Sequence, residues 1–387
     1  MVMATAPLEI YETTIAQEVA LRLDGVHLVT ADEALDEDFQ ADWANLVAAV
    51  AEPNPFFEPW YLLPSLRNFD PAERVNIAAY YRSGMLCGLF PLTKSAAYYK
   101  YPLPHHAVWQ HPNIFCGVPL VRRGHELGFW RTLFSTLDEE PGGMLFLHLP
   151  QLDESGSLNR ALQTVLSGQD RLAGVVLRSE RALMQSGHSP EAYFEASLSA
   201  KKRKELRRQA RRLGEEGRLE FERQHCAAKL ESWIGEFLEL ERAGWKGQNG
   251  SALASDIRTA SLFNSAMRGA VAAGRLERLT LRLDGRPIAM LANFITAPGA
   301  FSYKTAFDEG YARFSPGVLL QQYNLDLLSR SDIDWCDSCA AEGHPMIEHI
   351  WREKRAIVSH NIAIGGSLRR RLFEPILRAE MKETKTL

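Results

Sequence analysis

The sequence predicts an α/β fold of two similarly built domains, each a mixed central sheet flanked by helices, and three observations carry that prediction. Two apolar segments double back around a tight turn, VNIAAYYRSGMLCGLFPLTK at Ser83-Gly84 and LERLTLRLDGRPIAMLANFI at Asp284-Gly285. Superposing YYRSGMLCGLFPLT from Tyr80 on LRLDGRPIAMLANF from Leu281 sets Gly84 on Gly285 and Gly88 on Ala289, as an internal duplication would. A polar break from Ser186 to Pro190 lies between them and divides the chain into domains at 1–187 and 188–387.

Size and composition agree with this plan. The chain has 387 residues, 46% of them apolar and 24% charged, which is enough to bury two cores without disulfide staples. The five cysteines form no small-secreted-domain pattern and read as reduced thiols. The first twenty residues lack a basic segment followed by an apolar run, and no stretch is long enough to cross a bilayer, so a cytoplasmic protein is expected. A formal charge of −4 argues against a protein that coats DNA, yet it hides one strongly basic segment.

Taken in order, LEIYETTIAQ reads as extended and DEDFQADWANLVAAVA as a helix. The prolines of AEPNPFFEPWYLLP forbid a long helix before Tyr61, and its aromatics suggest a packed loop. The first hairpin follows, and later SGSLNRALQTVLSGQD as a helix. SLSAKKRKELRRQARRLGEEG is helical with Leu206, Ala210 and Leu213 on one face, stopped by Gly214 or Gly217. After the second hairpin come AFSYKTAFD as a strand, a short loop, a helix opening at Ser315-Pro316-Gly317, the strand DIDWCDSCA, and HPMIEHIWREKRAI as a helix burying Ile347, Ile350 and Trp351.

At Ser315-Pro316-Gly317, serine suits the N-cap, proline the first helical position and glycine the close approach of another molecule. The N–H groups of Gly317, Val318 and Leu319 would then face out of the helix start, a site for a pyrophosphate; an ordinary capped helix is the plainer alternative.

Residues from about 190 to 360 resemble the acetyltransferase domain of the CelD/BcsL type, GNAT proteins associated with cellulose biosynthesis. The matching blocks are LSAKKRKELRRQARRLGEEGRLEFE, GWKGQNGSALA, LDGRPIA, YKTAFDEGYARFSPGVLL and DSCAAEGHPMIEHIWREKR, and NPFFEPWYLLP and HPNIFCGVPL resemble the leading region of such proteins. The resemblance implies tandem GNAT-like domains, the N-terminal one non-catalytic or acceptor-binding. It also implies acetyl-CoA or another acyl-CoA as donor, without a metal, and an amine or hydroxyl acceptor such as a small molecule or glycan precursor. It places the chain near the Fem-type peptidyl transferases, which carry two GNAT-like domains and take aminoacyl-tRNA.

Acyl transfer needs a base for the incoming nucleophile, donors for the oxyanion and sometimes an acid for the thiolate. In GNAT folds the acyl group lies where two central parallel strands splay apart, here the strands ending at Asp308 and Asp337. Strand alternation puts Ser302, Lys304, Ala306 and Asp308 on one face. Lys304, if buried, calls for a carboxylate or cofactor phosphate; otherwise it snorkels at an edge. Asp308 is the favoured base, with Glu309 and Asp337 as alternatives, each also suited to capping a turn. Tyr303 and Tyr311 are candidate acids or packing residues, and His344 a cap or base. Cys336 and Cys339 lie along a strand end and read as structural, and His105, His106 and His111 as polar loop residues.

The basic helix holds eight cationic residues from Lys201 to Arg212 against Glu205 alone. Such one-signed charge calls for an anion on Lys201, Lys202, Arg203, Arg207, Arg208 and Arg211. Phosphates of coenzyme A, an anionic acceptor, an acidic membrane face and RNA all fit. Oligomeric state stays open at this level.

Overall fold

Thirteen strands form one mixed sheet in the computed structural model, which describes residues 23–384. The extended segment expected at LEIYETTIAQ lies outside the described residues. The N-terminal half contributes β1 (Gly25–Val29), α1 (Glu37–Val47), α2 (Pro59–Phe69), β2 (Asn76–Arg82), β3 (Met85–Ser95), β4 (His105–Val108), β5 (Leu120–Val121), α3 (Glu126–Glu139), β6 (Phe146–Asp153), α4 (Ser157–Gly168) and β7 (Ala173–Met184). The rest contributes α5 (Pro190–Ser197), α6 (Ala200–Glu216), β8 (Leu219–Gln224), α7 (Leu230–Ala243), α8 (Trp245–Gln248), α9 (Ile257–Ala272), β9 (Leu276–Leu283), β10 (Arg286–Thr296), β11 (Gly299–Phe307), α10 (Pro316–Asn324), β12 (Trp335–Asp337), β13 (Glu353–Ala363) and α11 (Ser367–Thr384).

The two hairpins are built alike down to an irregularity. Ser83 and Gly84 have φ of 51° and 72°, and Asp284 and Gly285 have 49° and 79°, so both turns use two successive left-handed residues. In each, the third residue after the turn is a bulge: Tyr81 faces Leu86 and Tyr80 faces Gly88, just as Arg282 faces Pro287 and Leu281 faces Ala289. The skipped residues are Cys87 and Ile288, which the sequence superposition also sets on each other.

Strand order is β1-β2-β3-β4-β6-β13-β7-β12-β11-β10-β9-β8, with β5 on β3. The two central strands are exchanged: β7 ends the N-terminal half but pairs with β12, while β13 comes from the C-terminal half and pairs with β6. β7 and β13 also pair with each other, from Glu353 opposite Leu183 to Ile362 opposite Ala173. Residue 187 lies in the connection between β7 and α5.

The helix expected over HPMIEHIWREKRAI does not form. Ile347 and Ile350 are buried in turns and Trp351 in the irregular link that follows, and from Glu353 the chain is β13. The tail AIVSHNIA supplies the β-branched residues that fill a slot with ladder partners on both sides. His105 and His106 also depart from the reading as loop residues: they lie in β4, between β3 and β6, and are buried.

The halves meet over an aromatic cluster. Phe56 and Tyr61 pack edge-on against Phe294, and also against Phe301 and Tyr303 respectively. Helix α2 lies close on α9 because Gly269 has no side chain; a Cβ there would come within 2.7 Å of the Trp60 Cβ.

Candidate functional site

β11 and β12 run parallel but pair only from Gly299 opposite Trp335 to Phe301 opposite Asp337. Beyond that point β12 ends while β11 continues to Phe307, leaving one edge of residues 302–307 without a strand. This parting of parallel strands is the one the sequence placed between Asp308 and Asp337.

The alternation expected along β11 is broken. Ala292 faces Lys304 but Asn293 faces Ser302, so Tyr303 is a bulge. Ala306 consequently joins Phe301 and Tyr303 in the core between the halves, and Lys304 reaches the same side. Ser302 therefore does not share a face with Lys304 as simple parity implies, whereas Ala306 and Asp308, beyond the bulge, stay in phase with it.

Lys304 is part-buried, and its partner is neither carboxylate nor snorkelled solvent. Nζ donates to Asn113 Oδ1 at 2.7 Å and stands 5.0 Å from the Phe115 ring and 5.4 Å from the Tyr303 ring. The loop carrying Asn113 and Phe115 belongs to the N-terminal half and is fixed there: Tyr61 Oη donates to the Asn113 carbonyl at 2.5 Å, and Asn54 Nδ2 to the Val118 carbonyl at 2.7 Å. Burial, then repulsion from Lys246, pushes the Lys304 ammonium down to about 8. Lys246 Nζ donates to Glu241 at 2.8 Å and approaches the Thr305 carbonyl at 3.4 Å, on the strand edge that β12 has left. Glu241 is buried and also accepts from Leu253 N at 2.7 Å. Sequence reading assigned no role to Asn113, Glu241 or Lys246; GWKGQNG and HPNIFCGVPL were the signals available.

The expected carboxylates are placed as follows. Asp308 accepts from Gly310 N at 2.9 Å, opening the 3-10 turn Glu309–Phe314, and pairs with Arg286 at 2.8 Å. Glu309 accepts from Trp245 N at 2.6 Å, at the start of α8. Asp337 is 1% exposed; it lies between Arg181 at 3.4 Å and Arg355 at 3.3 Å and accepts from Cys339 N at 2.8 Å. It is the clamp of two cations rather than a free carboxylate. Tyr303 is buried against Tyr61, Oη to Oη 3.1 Å, and burial pushes its phenol up. Tyr311 packs beside Phe314 at the edge of the cluster under α10. His344 opens a turn instead of a helix; its Nδ1 is buried without a partner, and burial and then Lys246 push the imidazole down.

At α10, Ser315 occupies the N-cap position but is left-handed, with φ 55°, and its side chain does not cap. The first turn carries no acidic residue. Pro316, Gly317 and Leu319 are buried, Val318 partly so. The close approach that Gly317 permits is made by the chain itself: a Cβ there would lie 2.7 Å from Met346 Sδ and 3.3 Å from Phe307. Of the three N–H groups expected to face out of this helix start, that of Leu319 is taken by the Ser315 carbonyl at 3.0 Å, which leaves those of Gly317 and Val318 ahead of the first helical bond.

Helix α6 forms as expected, buries Leu206 and Leu213, and ends at Gly217. Arg203 is tied to the Leu198 carbonyl at 2.6 Å, Arg208 to Glu205 at 2.7 Å and Arg211 to Glu215 at 3.6 Å. Lys201, Lys202, Lys204 and Arg207 have no ion pair among the described residues and line an open groove of about 830 Å³. A second cavity of about 420 Å³ lies between α6 and the turn leading to α10, lined by Arg208, Arg212 and Arg313 together with Glu205, Glu215 and Glu216. Among the described residues no helix is long and apolar enough to cross a membrane, and no group of three His, Cys, Asp or Glu is arranged to hold a metal. Cys336 and Cys339 are free buried thiols, pushed up by burial.

No curated protein matches the chain. Among solved structures it is similar to FemX, with TM-score 0.57 and 9% identity over 87% of this chain and 98% of that one. A conserved protein of unknown function from Bacteroides thetaiotaomicron VPI-5482 gives TM-score 0.54 and 12% identity over 84% and 97%. Both show a shared fold across nearly the whole molecule. Residues 200–343, which include α6, the parted strands and the start of α10, match the family model described as an acetyltransferase (GNAT) domain.

Proposed function

We propose that this protein moves an acetyl or other acyl group from acyl-CoA to an amine or hydroxyl of a small acceptor, at the place where β11 and β12 part. The observation that carries the reading is Lys304, a part-buried amine with a lowered pKa beside an unpaired strand edge. Its neutral form takes the acceptor's proton as the carbonyl carbon passes from sulfur to nitrogen or oxygen. It then returns the proton to the departing thiolate, so the products are the acylated acceptor and a free thiol. Of the carboxylates, Asp308, Glu309 and Asp337 already hold N–H groups or guanidinium ions, whereas the Lys304 ammonium is held by the Asn113 amide oxygen alone.

The donor's phosphates suit the N–H groups of Gly317 and Val318 at the start of α10, with Arg212 at the neighbouring cavity, where Arg313 is already paired with Glu216 at 2.9 Å. In the N-terminal half, α3 follows β5 as α10 follows β11, but its first turn carries Glu126. A carboxylate there repels a phosphate, which supports a non-catalytic N-terminal domain. Kinship with the CelD/BcsL type is part of the same proposal, as is a cytoplasmic setting.

A second reading, a Fem-like transferase using aminoacyl-tRNA, draws on the unpaired cations along the α6 groove. Calorimetric titration with acetyl-CoA separates the two. Binding that changes little between 50 and 200 mM salt (~10-fold at most) supports the first reading; absent binding, with steeply salt-dependent RNA affinity, overturns it in favour of the second.

A further inference from the structure

A cavity of about 260 Å³ lies on the same side of the sheet as Lys304, across the exchanged strands, and Phe115 borders both. Its volume is below that of sites for drug-sized ligands, at about 300 Å³ and above, and suits a small metabolite. Three cations and three carboxylates line it, and most satisfy one another. Asp337 holds Arg181 and Arg355; Asp153 holds Arg355 at 3.1 Å and Ser155 N at 2.9 Å. Arg355 is also stacked on Trp335 at 3.9 Å.

Two charges are left over. Glu52 gives one oxygen, Oε1, to Ser157 Oγ at 3.0 Å and Leu158 N at 2.6 Å at the start of α4. Its Oε2 accepts no hydrogen bond, and no cation pairs with it among the described residues. Burial pushes this carboxyl up, against its bonds to Leu158 N and Ser157 Oγ and a weaker attraction from Arg355, which is itself held by Asp153 and Asp337. Arg160, one turn further along α4, bonds only the Ser155 carbonyl and has no anionic partner among the described residues. An unpaired carboxylate and an unpaired guanidinium thus face one small cavity whose lining also carries the aromatic rings of Phe115, Phe301 and Trp335.

We infer that this cavity binds a small zwitterion of the α-amino acid type, its ammonium at Glu52 and its carboxylate at Arg160, with the side chain along Phe115 and Trp335. A simple anion would leave Glu52 unpaired and add repulsion from Asp153 and Asp337; a simple amine would leave Arg160 unpaired. The inference rests on the acyl-transfer reading only in making the bound molecule the acceptor, since the cavity opens beside the Phe115 ring that covers Lys304.

The test is calorimetric titration of the full chain, without any acyl donor, with each of the twenty L-amino acids in turn. Any that binds is compared with the amine lacking its carboxylate and the acid lacking its ammonium. The expected result is binding of at least one amino acid, with both truncated analogues weaker by about tenfold or more, and the same loss in Arg160→Ala. Arg160 is exposed and supports only the Ser155 carbonyl, so an unchanged melting temperature accompanies that loss. The assignment is overturned if no amino acid binds, if the deaminated acid binds as tightly as its parent, or if Arg160→Ala and Glu52→Gln both keep full affinity. Thiol release from acetyl-CoA is read separately over a panel of other amines, so the acyl-transfer reading stands or falls independently.

Discussion

Replacing Lys304 by Met separates what the lysine costs the fold from what it does. Its ammonium is pushed from 10.5 to about 8, so the unfolded chain holds a proton that the folded chain releases in that interval. The stability penalty of the charged lysine is complete below about pH 8, where it amounts to roughly 3 kcal/mol, and disappears as pH rises through the unfolded value. Met removes the penalty but leaves Asn113 Oδ1 without its donor, an offset of about 1–3 kcal/mol that does not vary with pH. Urea unfolding of both proteins at pH 7, 8, 9 and 10 cancels all other titrations. The stability of Lys304→Met relative to the wild type should fall by roughly 2–3 kcal/mol between pH 7 and 10. A difference that stays flat over that range refutes the strained-lysine argument. In the same framework, turnover should rise with pH to a plateau above about 8. In Lys304→Arg, which never deprotonates, both the rise and roughly two orders of magnitude of rate should be lost.

Asp337→Asn leaves Arg181 and Arg355 buried beside an uncharged amide and should cost about 3–5 kcal/mol in chemical denaturation; a loss under about 1 kcal/mol contradicts the clamp. Gly317→Val should weaken CoA binding by about tenfold, as its side chain and Met346 crowd the α10 start, while Met346→Ala should strengthen it. Equal affinities in wild type and both variants remove CoA from that helix. Charge reversal at Arg207 and Arg211 should weaken binding of the α6 ligand, with the effect shrinking at high salt; wild-type behaviour at low salt returns α6 to a solvated surface.

Much of this architecture was legible because it depends on local pattern. The paired hairpins, the basic helix with Leu206 and Leu213 inward, and the helix opening at Pro316 all follow from spacing and turn chemistry. Three features were not, and each depends on a distant partner. β13 shows an apolar run that suits a helix equally well, and only the slot between β6 and β7 decides. The bulge at Tyr303 has no local signature, and one unpaired residue reassigned Lys304 to the other face. Asn113, the partner of Lys304, lies 191 positions away in the other half, where no pattern within either segment points to it.

The exchange of β7 and β13 makes one more prediction, about the halves themselves. Cut at residue 187, the C-terminal piece keeps the whole segment that matches the acetyltransferase model, and by chain division alone it should fold. By strand pairing it should not. β12 would lose β7, and β13 would lose β6 and β7 together, baring both edges of an eleven-residue strand. Asp337 would lose Arg181, and Lys304 would lose Asn113 and the Phe115 ring. Residues 188–387 expressed alone should therefore aggregate, whereas the same piece co-expressed with 1–187 should be recovered as a soluble one-to-one complex that binds CoA. Size-exclusion chromatography and CoA titration read both outcomes. A lone C-terminal piece that is monomeric, unfolds cooperatively and binds CoA like the full chain would show that the exchanged strands join two self-sufficient domains, and that the site needs nothing from the N-terminal half.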